Sequence, residues 1–287
     1  ELYKPWDTAV DIDGLPPLKP FEGGTELTDL SIECFNKLRP YFGECLSTMK
    51  AMKYLDLESK EGKAPGGFLS PLDEIGVPFI YMNAVGSQRD IQTMIHEGGH
   101  AFHSFLSRDL ELKKFKEVTS EVAELASMSM ELFSMDHWDV FYTDDNDLKR
   151  AKLEQLKGML YFLPSCMMID KFQHWVYTNN HTAQQRKEKW NELQTTFSNS
   201  IVDWKGYENL RANTWQNILH LYEVPFYYIE YGMAQLGAIA MWRSYKQVGE
   251  QALDNYMDAL KLGYTKTIGE IYETAGIKFD FSARYVK

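Results

Sequence analysis

His96 and His100 stand four residues apart in the stretch Ile91–His103, IQTMIHEGGHAFH. On a helix, positions i and i+4 share a face with Cβ atoms about 6 Å apart, so two imidazoles at this spacing reach one ion. Zinc takes imidazole nitrogen at about 2.0–2.1 Å, and a catalytic zinc keeps three protein ligands with a water in the fourth position. Glu97 is turned about 100° round the helix from His96. Its carboxylate can face that water and act as general base, the chemistry of the His-Glu-x-x-His (HExxH) pattern. A five-residue pattern also arises by chance, so the elements around it decide how it is read.

Those elements favour a helix in the right place. Ser87 with Asp90 forms a capping box just ahead of the run, and Ile91, Met94, Ile95, Phe102 and Phe105 supply an apolar stripe at helical spacing. Gly98 and Gly99 each weaken a helix by about 1 kcal/mol against alanine, a cost that makes sense where the backbone must approach something closely. A third ligand has to come from a second element. The segment VTSEVAELASMSMELF can be capped by Thr119 or Ser120 and follows Glu117 with Glu121, Glu124 and Glu131. Glu124 sits among Val122, Ala123, Leu125 and Ala126, surroundings in which a carboxylate needs a partner. It is the ligand candidate, whereas Glu117 suits a solvated acidic face. Glu121 or Glu131 is placed to accept a hydrogen bond from the distal nitrogen of a ligand histidine and fix its tautomer.

Two further stretches bear on chemistry. Gly and Pro punctuate EGKAPGGFLSPLDEIGVPFIYMNAVGS, and PFIYMNA is an apolar run of strand length. The expectation is an edge strand beside the metal helix, on which an extended peptide pairs its backbone, with Asn83 and Ala84 as the edge positions. A hairpin that only covers the core is the alternative. Later, ILHLYEVPFYYIEYGMAQLGAIAMW sets up a helix after Pro225 with small residues for close packing, and places His220 ahead of Tyr227, Tyr228 and Tyr231. A tyrosine hydroxyl or a histidine aimed at the polarised carbonyl would stabilise the oxyanion, while aromatic-rich turns are equally often core. His174, among aromatics, reads as a packed, hydrogen-bonded histidine before an accessory ligand.

The remaining chain is scaffold. Residues 1–24, rich in Pro and Gly, predict an irregular lead-in. Helical pattern begins at Thr28, is interrupted at Pro40 and resumes over YFGECLSTMKAMKYL. Residues 136–200 are helical, with a long helix over Leu148–Tyr177 kinked at Pro164, and the C-terminal region holds a capping box from Thr267 to Glu270 and a cap at Gly276. The expected fold is mainly α with one small β-sheet beside the HExxH helix, as a single catalytic domain over 1–287. The 287 residues are 44% hydrophobic and 14% aromatic, enough for a substantial core. Lys plus Arg number 30 against 41 Asp plus Glu, a net charge of −11 without a basic cluster, which argues against nucleic acid. No apolar run approaches the roughly 20 residues that cross a bilayer, and the opening ELYKPWD lacks a signal-peptide pattern. Cys34, Cys45 and Cys166 are too few and too scattered for a disulfide framework, so the cytoplasm is the expected compartment.

Taken in order, GGF followed by PFIYMN, RDIQTMIHEGGHAFH, SEVAELASMSMEL and HLYEVPFYYIEYG, with the ending LGYTKTIGEIYETAGIKFDF, resemble the catalytic half of the thimet oligopeptidase and oligoendopeptidase F family of zinc metallopeptidases. The bacterial oligoendopeptidase F branch is the nearer. The resemblance implies a helical zincin-like fold and one zinc ion on His96, His100 and Glu124, with Glu97 activating water. It assigns substrate binding and oxyanion stabilisation to His220 and Tyr231, with Tyr227 or Tyr228 as the second tyrosine. Substrates would be short unstructured oligopeptides. The N-terminal half of the usual family architecture is not in this sequence, which is read either as a fragment of a longer protein or as one piece of a two-piece enzyme; that half is the expected partner, and in its absence turnover is expected to be weak or absent. The competing reading is a metal-binding interaction domain without turnover, or an inactive fragment of a longer peptidase.

Overall fold

The computed structural model describes residues 3–11, 13–64 and 66–287; residues 1, 2 and 12 of the expected lead-in and residue 65 of the expected β region lie outside the described residues. The lead-in is less irregular than its composition predicts, since it contains a 3-10 turn, Pro5–Ala9, and ends at Gly23 where α1 begins. Helix α1 (Gly23–Leu38) and helix α2 (Pro40–Ala51) are separated at Arg39, which is extended, with Pro40 filling the first helical position of α2. The interruption at Pro40 is therefore a break between two helices.

Helix α2 stops four residues short of the pattern read from the sequence. Lys53 takes φ 61, a left-handed conformation that a sequence does not signal at lysine, and the chain turns straight into strand β1 (Leu55–Glu58). Strand β2 (Phe68–Ser70) and strand β3 (Phe79–Ala84) complete a sheet of order β1-β3-β2, with β1 parallel and β2 antiparallel to β3. This overturns the expectation that Asn83 and Ala84 lie on an edge strand. Strand β3 is central: Ala84 pairs with Glu58, and the Ala84 carbonyl accepts a hydrogen bond from the Ser59 amide. The Asn83 amide group donates to the Ala64 carbonyl, tying down the loop that leads into β2. The edges of the sheet are β1 and β2.

Next come α3 (Gln88–Ser107), a single turn α4 (Lys113–Lys116), α5 (Ser120–Ser134) and a 3-10 segment Met135–Val140. Helix α6 (Asp145–Thr178) runs unbroken through Pro164. Then follow α7 (Ala183–Phe197), the short α8 (Glu208–Arg211) and α9 (His220–Glu223), α10 (Tyr228–Val248), α11 (Glu250–Lys261), α12 (Ile268–Thr274) and α13 (Ala283–Val286). The fold is mainly α with one small sheet.

The chain forms two compact units, Glu1–Pro17 with Leu156–Gly232, and Leu18–Gln155 with Met233–Lys287. In the larger unit the apolar stripe of α3 is buried as its spacing predicts, and Phe102 packs edge-on against Phe35 of α1 (4.8 Å) and stacks on Phe42 of α2 (4.7 Å). Each such ring contributes about 1.5–3 kcal/mol by leaving water. The smaller unit has its own core of Met168, Ile169, Phe172, Trp190, Leu193 and Leu221. Among the described residues no helix is long and apolar enough to cross a membrane.

Candidate metal centre

The helix that carries the paired histidines is started as its sequence predicts. The Ser87 hydroxyl accepts from the Asp90 amide, and the Asp90 carboxylate accepts from the amides of Ser87 and Val85, satisfying donors that a bare helix end leaves open. Helix α5 then crosses α3 at unusually short range, and the reason is Gly99. A Cβ at this position would lie 2.6 Å from the Ser127 Cα and 2.7 Å from the Ala126 carbonyl oxygen, so only glycine lets the two backbones touch. Gly98 does the same toward Phe35, whose ring would sit 2.7 Å from a Cβ there. The glycine pair thus spends helix propensity on close packing of α3 against α1 and α5.

That approach brings Glu124 to the two imidazoles. Its Oε2 lies 3.3 Å from His96 Nε2 and 3.7 Å from His100 Nε2, and the two rings stand 4.9 Å apart at 86°. One ligand atom from each of the three residues falls within 4.8 Å of the others, the metal-capable cluster among the described residues. Glu131, seven positions after Glu124, accepts from His96 Nδ1 at 2.7 Å, leaving Nε2 to face Glu124. Among the described residues the Glu121 side chain makes no bond to His96 or His100; its backbone carbonyl accepts from the Tyr272 hydroxyl. Of the two carboxylates considered for that role, the structure brings Glu131 to the site. Thr119 begins α5 by its backbone angles, without a side-chain capping bond.

Burial governs the electrostatics. It pushes Glu97 up to about 7, with Glu124 and Glu131 adding to the shift, and it pushes His100 down to about 4. At His96 burial is outweighed by the Glu124 and Glu131 carboxylates, which raise the imidazole well above its usual range. At Glu124 burial is again outweighed, chiefly by the bond to His96, and the carboxyl is held down to about 2. Glu97 is 5% exposed, and its Oε2 has no hydrogen-bond partner. Buried polar atoms are ordinarily partnered, so this open oxygen, on the residue next to His96, marks a place for a ligand.

Two residues at this site carry no sequence signature that singled them out. Ser127 donates from Oγ to Glu124 Oε2 at 2.9 Å, and its position three residues on from Glu124 was a usable clue. Gln155, on α6, donates from Nε2 to Glu131 Oε2 at 2.7 Å, a contact for which the sequence offers no pattern.

The second group of expected site residues clusters in the smaller unit. His220 Nε2 lies 3.3 Å from the Tyr231 hydroxyl, and the His220 ring is 6.0, 5.2 and 5.6 Å from those of Tyr227, Tyr228 and Tyr231. Tyr228 also packs on the core of that unit, and burial pushes its hydroxyl up to about 12. The turn before these tyrosines holds Phe226 at φ 65, a strained conformation for an aromatic residue. It is held by the Phe226 amide donating to Gln173 Oε1 at 2.8 Å and by ring contacts to His174 and Tyr177 of α6. His174 is not the enclosed histidine its neighbours suggest: its side chain is 62% exposed, with Nε2 3.6 Å from Asp170.

Comparison with known proteins places these features in a family. The model described as Peptidase family M3 matches residues 42–287. An oligoendopeptidase F homolog of Borreliella burgdorferi is 26% identical over 221 residues, covering 75% of this chain and 36% of that protein. Oligopeptidase PepF of Bacillus subtilis is 25% identical over 236 residues, covering 78% and 34%. The chain therefore spans about a third of the length of these two relatives. Among solved structures, PZ peptidase A with an inhibitor superposes with a TM-score of 0.89 at 30% identity, over 98% of this chain and 50% of that one.

Proposed function

The chain belongs to peptidase family M3, and from that premise we propose that it is the catalytic part of a zinc-dependent endopeptidase that hydrolyses short unstructured oligopeptides. The observation that carries this reading is the convergence of His96, His100 and Glu124 within 4.8 Å of one another, on a helix whose residue next to His96, Glu97, is a buried carboxylate with an unpartnered oxygen. Donor atoms on a tetrahedral zinc at about 2.0–2.2 Å sit roughly 3.3 Å apart. The separations of 3.3 and 3.7 Å between Glu124 Oε2 and the two imidazoles fit that ion with little adjustment. The donor set, two nitrogens and one carboxylate oxygen with an outer carboxylate on His96, also suits zinc.

His96, His100 and Glu124 would hold the ion, and Glu131 would keep the His96 ring in the tautomer that presents Nε2. A zinc ion bound there supplies Lewis acidity, polarising a peptide carbonyl and acidifying water. Glu97 takes the proton from the attacking water and delivers it to the leaving amine. Burial raises the Glu97 carboxyl in the metal-free chain, which favours a group able to take up a proton and then release it. His220 and Tyr231, which already meet through a ring nitrogen and a hydroxyl, are assigned to the negative charge that develops on the carbonyl oxygen. Tyr227 is the second tyrosine, because Tyr228 is engaged with the core of its unit.

An extended substrate needs a free strand edge, and with β3 central the edge that suits is β2. Strand β2 sits against the metal helix: a Cβ on Gly67, just before it, would lie 2.8 Å from Thr93 Cγ2 of α3. The three cysteines are free and buried, in keeping with a reducing compartment, and we place the protein in the cytoplasm. Partners are peptide substrates; the relatives extend beyond the region matched here, and a polypeptide spanning that remaining length is a second component of the test.

The test is Glu97→Gln on a quenched fluorescent peptide, with and without that remaining polypeptide, alongside metal analysis. Zinc content should stay at the wild-type level while hydrolysis falls by about 10²–10⁴-fold. Equal hydrolysis by the variant would refute Glu97 as the general base, and a wild-type chain that binds zinc and cleaves nothing in either setting would favour a non-catalytic metal-binding domain.

A further inference from the structure

We propose that Gln155 is a positioning residue of the metal centre, holding the outer carboxylate of His96 in place from a third helix. The inference rests on the metal-centre reading above and adds a component to it. Glu131 divides its two oxygens: Oε1 accepts from His96 Nδ1 at 2.7 Å and Oε2 accepts from Gln155 Nε2 at 2.7 Å. His96 comes from α3, Glu131 from α5 and Gln155 from α6, so the orientation of one metal ligand depends on three helices.

The division of labour has a physical reason. A carboxylate with one oxygen bonded and the other unpaired can rotate about its last torsion and let its partner ring swing. A second bond at right geometry removes that freedom. Water could supply a bond to Oε2, but a mobile one; Gln155 is 7% exposed, so its amide is a fixed donor. Gln155 also suits the task chemically. Its amide donates without adding charge, so Glu131 keeps its full negative charge for the His96 ring, whereas a lysine or arginine would neutralise it. A residue that merely bridged α5 to α6 would have no need to meet the carboxylate that holds His96 Nδ1.

The experiment measures zinc dissociation constants by competition with a chromophoric chelator, and melting of the metal-free protein, for wild type, Gln155→Met, Glu131→Gln and the double variant. Methionine fills nearly the same space without a donor. Gln155→Met should weaken zinc about tenfold and Glu131→Gln about 10–100-fold. The double variant should bind within about twofold of Glu131→Gln alone, because Gln155 acts only through that carboxylate. Unchanged zinc affinity in Gln155→Met, or effects that multiply in the double variant, would overturn the inference, whatever the melting temperature does. Gln155→Leu carries the same test if the methionine variant does not fold. If neither folds, the side-chain amide of Gln155 in labelled wild-type protein decides: its resonances should be protected from exchange and should move on zinc addition, and stationary or exchanging resonances would overturn the proposal. A wild-type chain that binds no zinc would instead refute the metal-centre reading itself.

Discussion

Replacing Gly99 by alanine should disable metal binding out of proportion to its effect on stability. The added Cβ would lie 2.6 Å from Ser127 Cα, 2.7 Å from the Ala126 carbonyl oxygen and 3.0 Å from the Ala126 carbonyl carbon, all backbone atoms of α5 that no rotamer change can move. Carbon atoms rest at about 3.5–4.0 Å, so the two helices must part by roughly 0.9 Å. The gaps from Glu124 Oε2 to the imidazoles, 3.3 and 3.7 Å, widen by a comparable amount. Metal–ligand distances tolerate only about 0.2 Å. Stability gains about 1 kcal/mol from helix propensity and loses about 1–3 kcal/mol from overpacking, a net loss of about 0–2 kcal/mol. Zinc affinity should fall by more than the roughly 10–100-fold that losing an outer-shell partner costs. Gly98→Ala is the control. Its Cβ meets the Phe35 ring at 2.7 Å, a buried side chain of α1 rather than the backbone of α5, so stability drops while zinc affinity stays within about threefold. Chelator competition and thermal melts on both variants decide the matter. Wild-type zinc affinity in Gly99→Ala would refute the claim that this backbone contact sets the ligand geometry.

Other outcomes follow from the same structure. Gly158 lies within α6 with open space where a Cβ would go, so Gly158→Ala should stabilise the protein by about 0.5–1 kcal/mol, seen as a higher melting temperature; no change or a decrease would contradict the open environment. His103 is buried, and burial pushes it down to about 3, well below the roughly 6.5 of an unfolded chain. The unfolded state therefore takes up a proton that the folded state refuses. Stability is whole above about pH 6.5 and is lost as pH falls toward 3, by about 1.4 kcal/mol per pH unit for this group. In denaturant titrations of the metal-free protein between pH 7 and 5, His103→Gln should show a slope shallower by about one proton; an unaltered slope would assign the acid sensitivity elsewhere.

Much of the site was legible because its parts are local. The capping box at Ser87 and Asp90, the stripe from Ile91 to Phe105 and the four-residue spacing of His96 and His100 are all written within one helix, and the structure builds them as read. Glu124 was found through its apolar neighbours, since a carboxylate among them must meet a partner. The glycine pair indicated a close backbone approach without naming the partner, which proves to be Ser127 and Ala126 for Gly99 and Phe35 for Gly98. What failed was non-local or hidden in a single residue. Lys53 at φ 61 ends α2 and frees residues 55–58 to become β1, and a lysine gives no warning of that conformation. With β1 unseen, β3 was expected at an edge and Asn83 and Ala84 with it, whereas the added parallel partner makes β3 central. Gln155 lies 24 residues beyond Glu131, and the bond between them arises only when α6 returns to α5.

Anomalous diffraction at the zinc edge, from crystals of the zinc-loaded chain, tests the central claim most directly. The account predicts a single strong peak within about 2.3 Å of His96 Nε2, His100 Nε2 and a Glu124 carboxylate oxygen. A peak coordinated by other residues, or none at a zinc concentration that saturates the protein in solution, would contradict it.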